Sequence, residues 1–211
     1  MSRGEFRLIL FDVDSTLIQQ EVIDLLAQRT PFGEKVSDIT RRAMAGEIDF
    51  NQALVERVTL LEGLPVSIID EVVNELSFSP GAIDLISELR RRGFQVGAVS
   101  GGFMNVLSKF FASLNLDYLR ANNLEVRDDH LTGRLHGEIV NRQVKRDALF
   151  EFARSSNIDI SQTIAVGDGA NDLDMIASAG LGVSYRGKAI LNEAADIVIT
   201  DERLDSLLNF I

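Results

Sequence analysis

Three short apolar runs, each ending in a knot of polar residues, constrain this chain more than any other feature. Leu8-Ile9-Leu10-Phe11 stops at Asp12 and Asp14. A second run, 94–99, stops at Ser100-Gly101-Gly102, and a third, 163–166, stops just ahead of Asp168, Gly169, Asn171 and Asp172. A short, continuously apolar stretch bounded by polar residues reads as a strand buried on both faces. Such strands belong to parallel sheets covered by helices, whose ligands bind beyond the carboxyl ends of the strands. The polar residues of this chain stand at those ends.

The segments between the runs fill in the fold. Residues 83–89 carry apolar side chains at helical spacing, with Arg90, Arg91 and Arg92 in the last turn and Gly93 as a stop. Helices are predicted over 104–114, 146–154 and 171–179, later strands at 181–184 and 197–199, and a β-hairpin over 124–140, where turn residues Asp128, Asp129 and Gly133 interrupt an alternating pattern. Residues 20–78 show helical spacing throughout and no strand signal, with Pro65 in the first turn of a helix. That stretch is too long for one crossover. The expected fold is α/β: a doubly wound parallel sheet formed by 1–18 and 79–211, with a helical cap, 19–78, inserted after the first strand.

Composition limits what such a fold can do. The formal net charge is −11, which disfavours nucleic acid and anionic membranes as partners. There is no cysteine, so disulfides, thiolate metal sites and cysteine nucleophiles are excluded, in keeping with a reducing, cytoplasmic setting. The first eleven residues contain only one four-residue apolar run and resemble neither a signal peptide nor a membrane span. A small-molecule substrate, handled by a monomer or homodimer, is the expected partner.

The polar knots carry the chemistry. Asp12 and Asp14, two apart on an extended chain, share one face. Asp168 arrives from another strand. Three carboxylates at one sheet edge repel one another strongly unless a cation joins them. Oxygen donors without cysteine or a nearby histidine favour Mg²⁺ over zinc.

Asp12-Val13-Asp14-Ser15-Thr16-Leu17 resembles the first motif of the haloacid dehalogenase superfamily. Ser100-Gly101-Gly102 is similar to the second motif, Lys145 to the third, and Gly167-Asp168-Gly169-Ala170-Asn171-Asp172 to the fourth. Order and spacing agree over nearly the whole chain, and Glu21, Met44, Phe50 and Arg57 stand where the phosphoserine-hydrolysing branch reads its substrate. The form resembled is the short one, without an amino-terminal regulatory domain.

The resemblance implies roles. Asp12 is the expected nucleophile, forming an aspartyl-phosphate, and Asp14 the expected acid and then base. Mg²⁺ is expected between Asp12, the Asp14 carbonyl, Asp168 and the phosphate. Lys145, Ser100, Gly101 and Asn171 are expected around the phosphate, with Gly102 allowing close backbone approach and Asp172 orienting Lys145 or a metal-bound water. Glu21 is expected to hold the ammonium of phosphoserine and Arg57 its carboxylate, with Met44 and Phe50 as walls. At about 4 Å and an effective dielectric near 20, one charge pair is worth roughly 4 kcal/mol, so a phosphate dianion meets about 8 kcal/mol of repulsion from Asp12 alone. A divalent ion against the phosphate returns about twice that before desolvation.

Other readings of the same residues remain open. The phosphoryl group could pass to an alcohol such as homoserine, or the substrate could be phosphothreonine. A non-enzymatic phospho-acceptor signalling domain also uses clustered aspartates, Mg²⁺ and a lysine. A dinucleotide site is disfavoured, because its glycine fingerprint belongs after the first strand, where Asp12 and Asp14 stand.

Overall fold

The computed structural model describes residues 6–211; residues 1–5, on which the reading of the N-terminus partly rests, lie outside the described residues. Strand β1, Leu8–Phe11, is wholly buried. Side chains alternate along it, so Ile9 and Phe11 enter one apolar layer and Leu8 and Leu10 the other. This two-sided burial is why the run is continuously apolar.

The sheet is seven-stranded. Besides β1 it contains β2 (Gln95–Phe103), β3 (Tyr118–Arg127), β4 (His130–His136), β5 (Thr163–Gly167), β6 (Leu181–Tyr185) and β7 (Ile197–Ile199). The order is β4-β3-β2-β1-β5-β6-β7, and every neighbouring pair is parallel except β3 with β4. The doubly wound parallel sheet expected from the sequence is therefore present, with one antiparallel edge strand. Phe11 lies opposite Ala98 of β2 and Val166 of β5. The residues just past these three points share one edge of the sheet. The chain leaves β1 for β2 on one side and later places β5 on the other, so this edge is a topological switch point.

Between β1 and β2 come α1 (Val22–Ala27), α2 (Gly33–Met44), α3 (Phe50–Thr59), α4 (Ile68–Glu75) and α5 (Ala82–Arg91). The remaining α-helices are α6 (Met104–Phe110), α7 (Arg142–Ser155), α8 (Leu173–Ser178) and α9 (Ala189–Asn192). Side chains of α1, α3 and α4, among them Val22, Leu26, Leu54, Val58 and Val72, join the same apolar cluster as Phe11 and α5. One hydrophobic layer thus runs continuously from the sheet into these helices, while α7, α8 and α9 cover the opposite face.

Four local expectations need correction. First, β2 does not end at Val99 but runs on through Ser100-Gly101-Gly102 to Phe103, with an irregular register against β3 between Val99 and Phe103. Second, the hairpin's first arm begins at Tyr118, because its first half pairs with β2 and only its second half pairs with β4. Third, Pro65 does not open a helix. The hairpin tip claims the backbone around it: Val66 N–H donates to the Asp129 carbonyl at 2.8 Å, and Leu131 N–H to the Leu64 carbonyl at 2.8 Å. Helix α4 therefore starts at Ile68. Fourth, α7 begins at Arg142, not Arg146, because the Asn141 side chain caps it by accepting from Val144 N–H at 3.1 Å.

Candidate active site

The turn after β1 is tight. Ser15 sits in the left-handed region (φ 58°), which costs a non-glycine residue about 1 kcal/mol. Its hydroxyl donates to Glu21 Oε1 at 2.7 Å, tying the turn to the start of α1. The Asp14 carboxylate is turned the other way. Oδ1 accepts from the Val22 N–H at 3.0 Å and Oδ2 from the Ser100 hydroxyl at 2.9 Å. Ser100 Oγ in turn accepts from Gly102 N–H at 2.7 Å.

Glycine is demanded beside these groups by space. A Cβ on Gly102 would stand 2.6 Å from Asp14 Oδ2, and one on Gly101 would stand 2.8 Å from the Phe50 ring. Any side chain at either position would push the Asp14 carboxylate or the Phe50 ring out of place. Asn122 anchors this strand end, donating to the Gly101 carbonyl at 2.8 Å.

Lys145 reaches the sheet edge from the first turns of α7. It is fully buried, with Nζ 2.5 Å from Asp12 Oδ1 and 2.7 Å from Asp172 Oδ1. Burial alone would lower its pKa, but Asp12 and Asp172 outweigh that and raise it, so it stays cationic. Asp172 spends its other oxygen on the backbone, accepting from Asp168 N–H at 3.2 Å and Gly169 N–H at 3.1 Å.

Charge is out of balance here. Asp12, Asp168 and Asp172 are all buried, and each offers an oxygen within 4.8 Å of the others. Among the described residues one buried ammonium, Lys145, pairs with two of these three carboxylates, and Lys188 adds only a weaker pull on Asp168. The consequence is visible in their acidity: burial, reinforced by Asp172, pushes Asp168 up to about 7 and raises Asp12 well above the usual carboxylate range. A buried, oxygen-only cluster with surplus negative charge suits a divalent metal ion. The Asp14 side chain is not part of this cluster; burial raises its pKa as well, against the pull of its two hydrogen bonds.

A narrow, partly enclosed pocket opens beside Asp12 and Asp14, lined by Glu21, Ile23, Met44, Phe50, Leu54, Arg57, Gly101, Gly102 and Asn171. Phe50, Leu54 and Arg57 share one face of α3, whose start is set by Asp49 accepting from Gln52 N–H at 2.9 Å. Glu21 is half-buried because it borders the cavity. Its carboxyl group is otherwise crowded by protein, and that loss of water, with Asp14 and Asp168 nearby, raises its pKa to about 8. Arg57 is only 2% exposed, and burial lowers its pKa. Its chain neighbour Glu56 pairs with Lys35, and no carboxylate among the described residues lies within ion-pair distance of Arg57. Asn171 Oδ1 is buried without a hydrogen-bond partner. Such groups stay unpaired at a cost of about 1–3 kcal/mol unless a ligand meets them.

The tertiary structure also adds residues that the sequence did not point to. Ile23 and Leu54 line the cavity. Thr40 bonds to Arg57, and Asn122 holds the Gly101 carbonyl. No sequence signal separates them from ordinary core and strand positions.

A parallel sheet whose carboxyl edge gathers aspartates from separate strands around one buried lysine defines a class of hydrolase built on an α/β core. The haloacid dehalogenase-like hydrolase model matches residues 9–177, and the chain belongs to that family. Within it, the chain is similar to phosphoserine phosphatases. The phosphoserine phosphatase of Streptococcus thermophilus is 47% identical over 204 residues, 97% of this chain and 95% of that one. A solved structure described as a phospho-aspartyl intermediate analogue of phosphoserine phosphatase superposes with a TM-score of 0.95 at 41% identity, over 99% of this chain and 100% of that one. A substrate-bound phosphoserine phosphatase complex also gives 0.95, at 40% identity and 99% coverage of each chain. Among the described residues, no helix is long and apolar enough to cross a membrane.

Proposed function

We propose that the chain is a phosphoserine phosphatase, hydrolysing O-phospho-L-serine to L-serine and phosphate, the last step of serine biosynthesis. One observation carries this reading: a buried guanidinium without a carboxylate partner, Arg57, lines the same cavity as the acid Glu21 and the carboxylates Asp12 and Asp14. Phosphoserine carries a carboxylate, an ammonium and a phosphate. Arg57, Glu21 and the Asp12 edge are complementary to the three in turn. The same reading divides the chain into a core, 1–18 with 79–211, and a cap, 19–78, whose Met44 and Phe50 wall the substrate off from water. It also takes the enzyme to be a cytoplasmic monomer or homodimer.

The residues then divide the work. An Asp12 oxygen attacks phosphorus as the bond to the seryl oxygen breaks. Asp14 donates its proton to that oxygen, a role favoured by its raised pKa. Asp14 next takes a proton from water as the water oxygen attacks phosphorus, which frees phosphate and restores Asp12. Lys145 and the Ser100 hydroxyl hold the phosphoryl oxygens, with Gly101 and Asn171 as further donors. Asp172 keeps Lys145 aimed. Asp12, the Asp14 carbonyl and Asp168 would hold Mg²⁺, with Asp172 beside them. Bound there, the ion supplies positive charge against both phosphate and carboxylates.

A panel of phosphomonoesters with and without Mg²⁺ tests the assignment. Phosphoserine should be the best substrate, ahead of phosphothreonine, with turnover lost on chelation. A flat panel rejects the substrate. Labelled phosphate appearing on added homoserine would make the chain a phosphotransferase, and a phosphorylated form surviving for minutes would make it a signalling domain.

Metal dependence should also appear in stability. Glu21, at about 8 against an ordinary 4.5, and Asp168, at about 7 against 3.8, bind protons more tightly folded than unfolded. The metal-free protein therefore loses stability as pH rises through roughly 4 to 8. Mg²⁺ replaces the protons on the aspartates and flattens this slope. Melting temperatures at pH 5 and pH 8, in chelator and in MgCl₂, read it directly. A chelated protein that is more stable at pH 8 than at pH 5 contradicts the charge imbalance.

A further inference from the structure

Arg57 does not aim itself. Its Nε donates to the Ala53 carbonyl, one turn back in α3, at 3.0 Å, and its Nη1 donates to Thr40 Oγ1 of α2 at 3.0 Å. Thr40 is almost wholly buried, and its hydroxyl lies 2.7 Å from Asp24 Oδ1 of α1. Since Thr40 Oγ accepts from the guanidinium, its single proton is free to go to Asp24, with the Val36 carbonyl a longer alternative at 3.0 Å. Three helices are joined through one hydroxyl: Asp24 in α1, Thr40 in α2, Arg57 in α3. The negative charge of Asp24 polarises the hydroxyl toward the guanidinium.

This wiring selects which side of Arg57 meets a ligand. The Nε side is taken by Ala53, and one Nη1 hydrogen by Thr40. The edge left for a two-pronged contact is the end-on one, made by the second Nη1 hydrogen and Nη2. We propose that Thr40, backed by Asp24, is a positioning residue that fixes the end-on edge of Arg57 toward the cavity and so sets selectivity for a substrate bearing a carboxylate. The inference rests on the phosphoserine reading above. It concerns residues that lie outside the cavity lining and contact no reacting atom.

The test is Thr40→Val, which keeps the shape and removes the hydroxyl. For phosphoserine, KM should rise roughly tenfold, the scale of losing one hydrogen bond to a charged group, with kcat within about twofold. The competitive inhibition constant of phosphoethanolamine, which lacks the carboxylate, should stay within about twofold. Thr40→Ser should restore the wild-type KM. Asp24→Ala, half-buried and therefore easier on folding, should raise KM in the same direction and covers the case in which Thr40→Val does not fold.

Parallel rises in the phosphoserine KM and the phosphoethanolamine constant, or no change in either, overturn the proposal and leave the substrate reading standing. A wild-type enzyme that holds phosphoethanolamine as tightly as phosphoserine removes the substrate reading, and the proposal with it.

Discussion

Asp12→Asn should abolish phosphatase turnover, with a loss of at least about 10⁴-fold, while the protein stays folded. The amide is nearly the same shape as the carboxylate, but its nitrogen and carbonyl do not attack phosphorus as a carboxylate oxygen does. The stability side of the prediction has the opposite sign. Asp12 is buried close to Asp168 and Asp172, and its pKa is raised by that burial and by Asp172. Removing one negative charge from the cluster relieves repulsion, although the contact to Lys145 weakens. The metal-free variant should therefore melt no lower than wild type at pH 8. Steady-state turnover and a thermal melt on one preparation check both halves. A variant keeping a tenth of the wild-type rate would show that Asp12 is not the nucleophile. A variant that loses activity and melts far lower would attribute the loss to folding instead.

Lys145→Met should be the next most damaging change, and here activity and stability fall together. Methionine fills a similar volume but removes the one cation that, among the described residues, pairs with both Asp12 and Asp172. Breaking a buried ion pair from one side costs about 3–5 kcal/mol, because the partner charges remain. The pH dependence follows from the direction of the shift. Lys145 has its pKa raised from 10.5, so its contribution is fully present through the neutral range and fades only at alkaline pH. The variant should be least stable, relative to wild type, near pH 8, and closer to it near pH 5, where the carboxylates protonate. Turnover should fall by about 10³-fold or more, since a fixed charge on the phosphoryl oxygens is lost. Equal stability of variant and wild type at pH 8 in chelator would mean that the carboxylates do not depend on Lys145.

Some of this protein was legible without coordinates because a few residues have only one physical use in their context. The four-residue run before Asp12 is apolar at every position, and only a strand covered on both sides needs that. The largely apolar stretches 94–99 and 163–166 located β2 and β5 more loosely, and the polar groups beyond them marked a common edge. Other features were less determinate. Apart from the resemblance, nothing in the residues around Arg57 separates it from a solvated helical arginine; packing buries it and leaves its neighbour Glu56 to Lys35. Ser100-Gly101-Gly102 reads as a loop, because glycine pairs are usually turns. The strand continues through them since the Asp14 carboxylate and the Phe50 ring take up the space that side chains would need.

What the sequence determined by itself is the parallel sheet and the list of chemical groups at its carboxyl edge, since burial on both faces and local motif spacing are written into neighbouring residues. What only the tertiary structure decided is charge and direction: among the described residues, one buried ammonium against three buried carboxylates, Pro65 held by a hairpin tip, and Arg57 turned by Thr40 and Asp24. Those depend on contacts between residues far apart in the chain, where distance and desolvation, not residue type, set the energy.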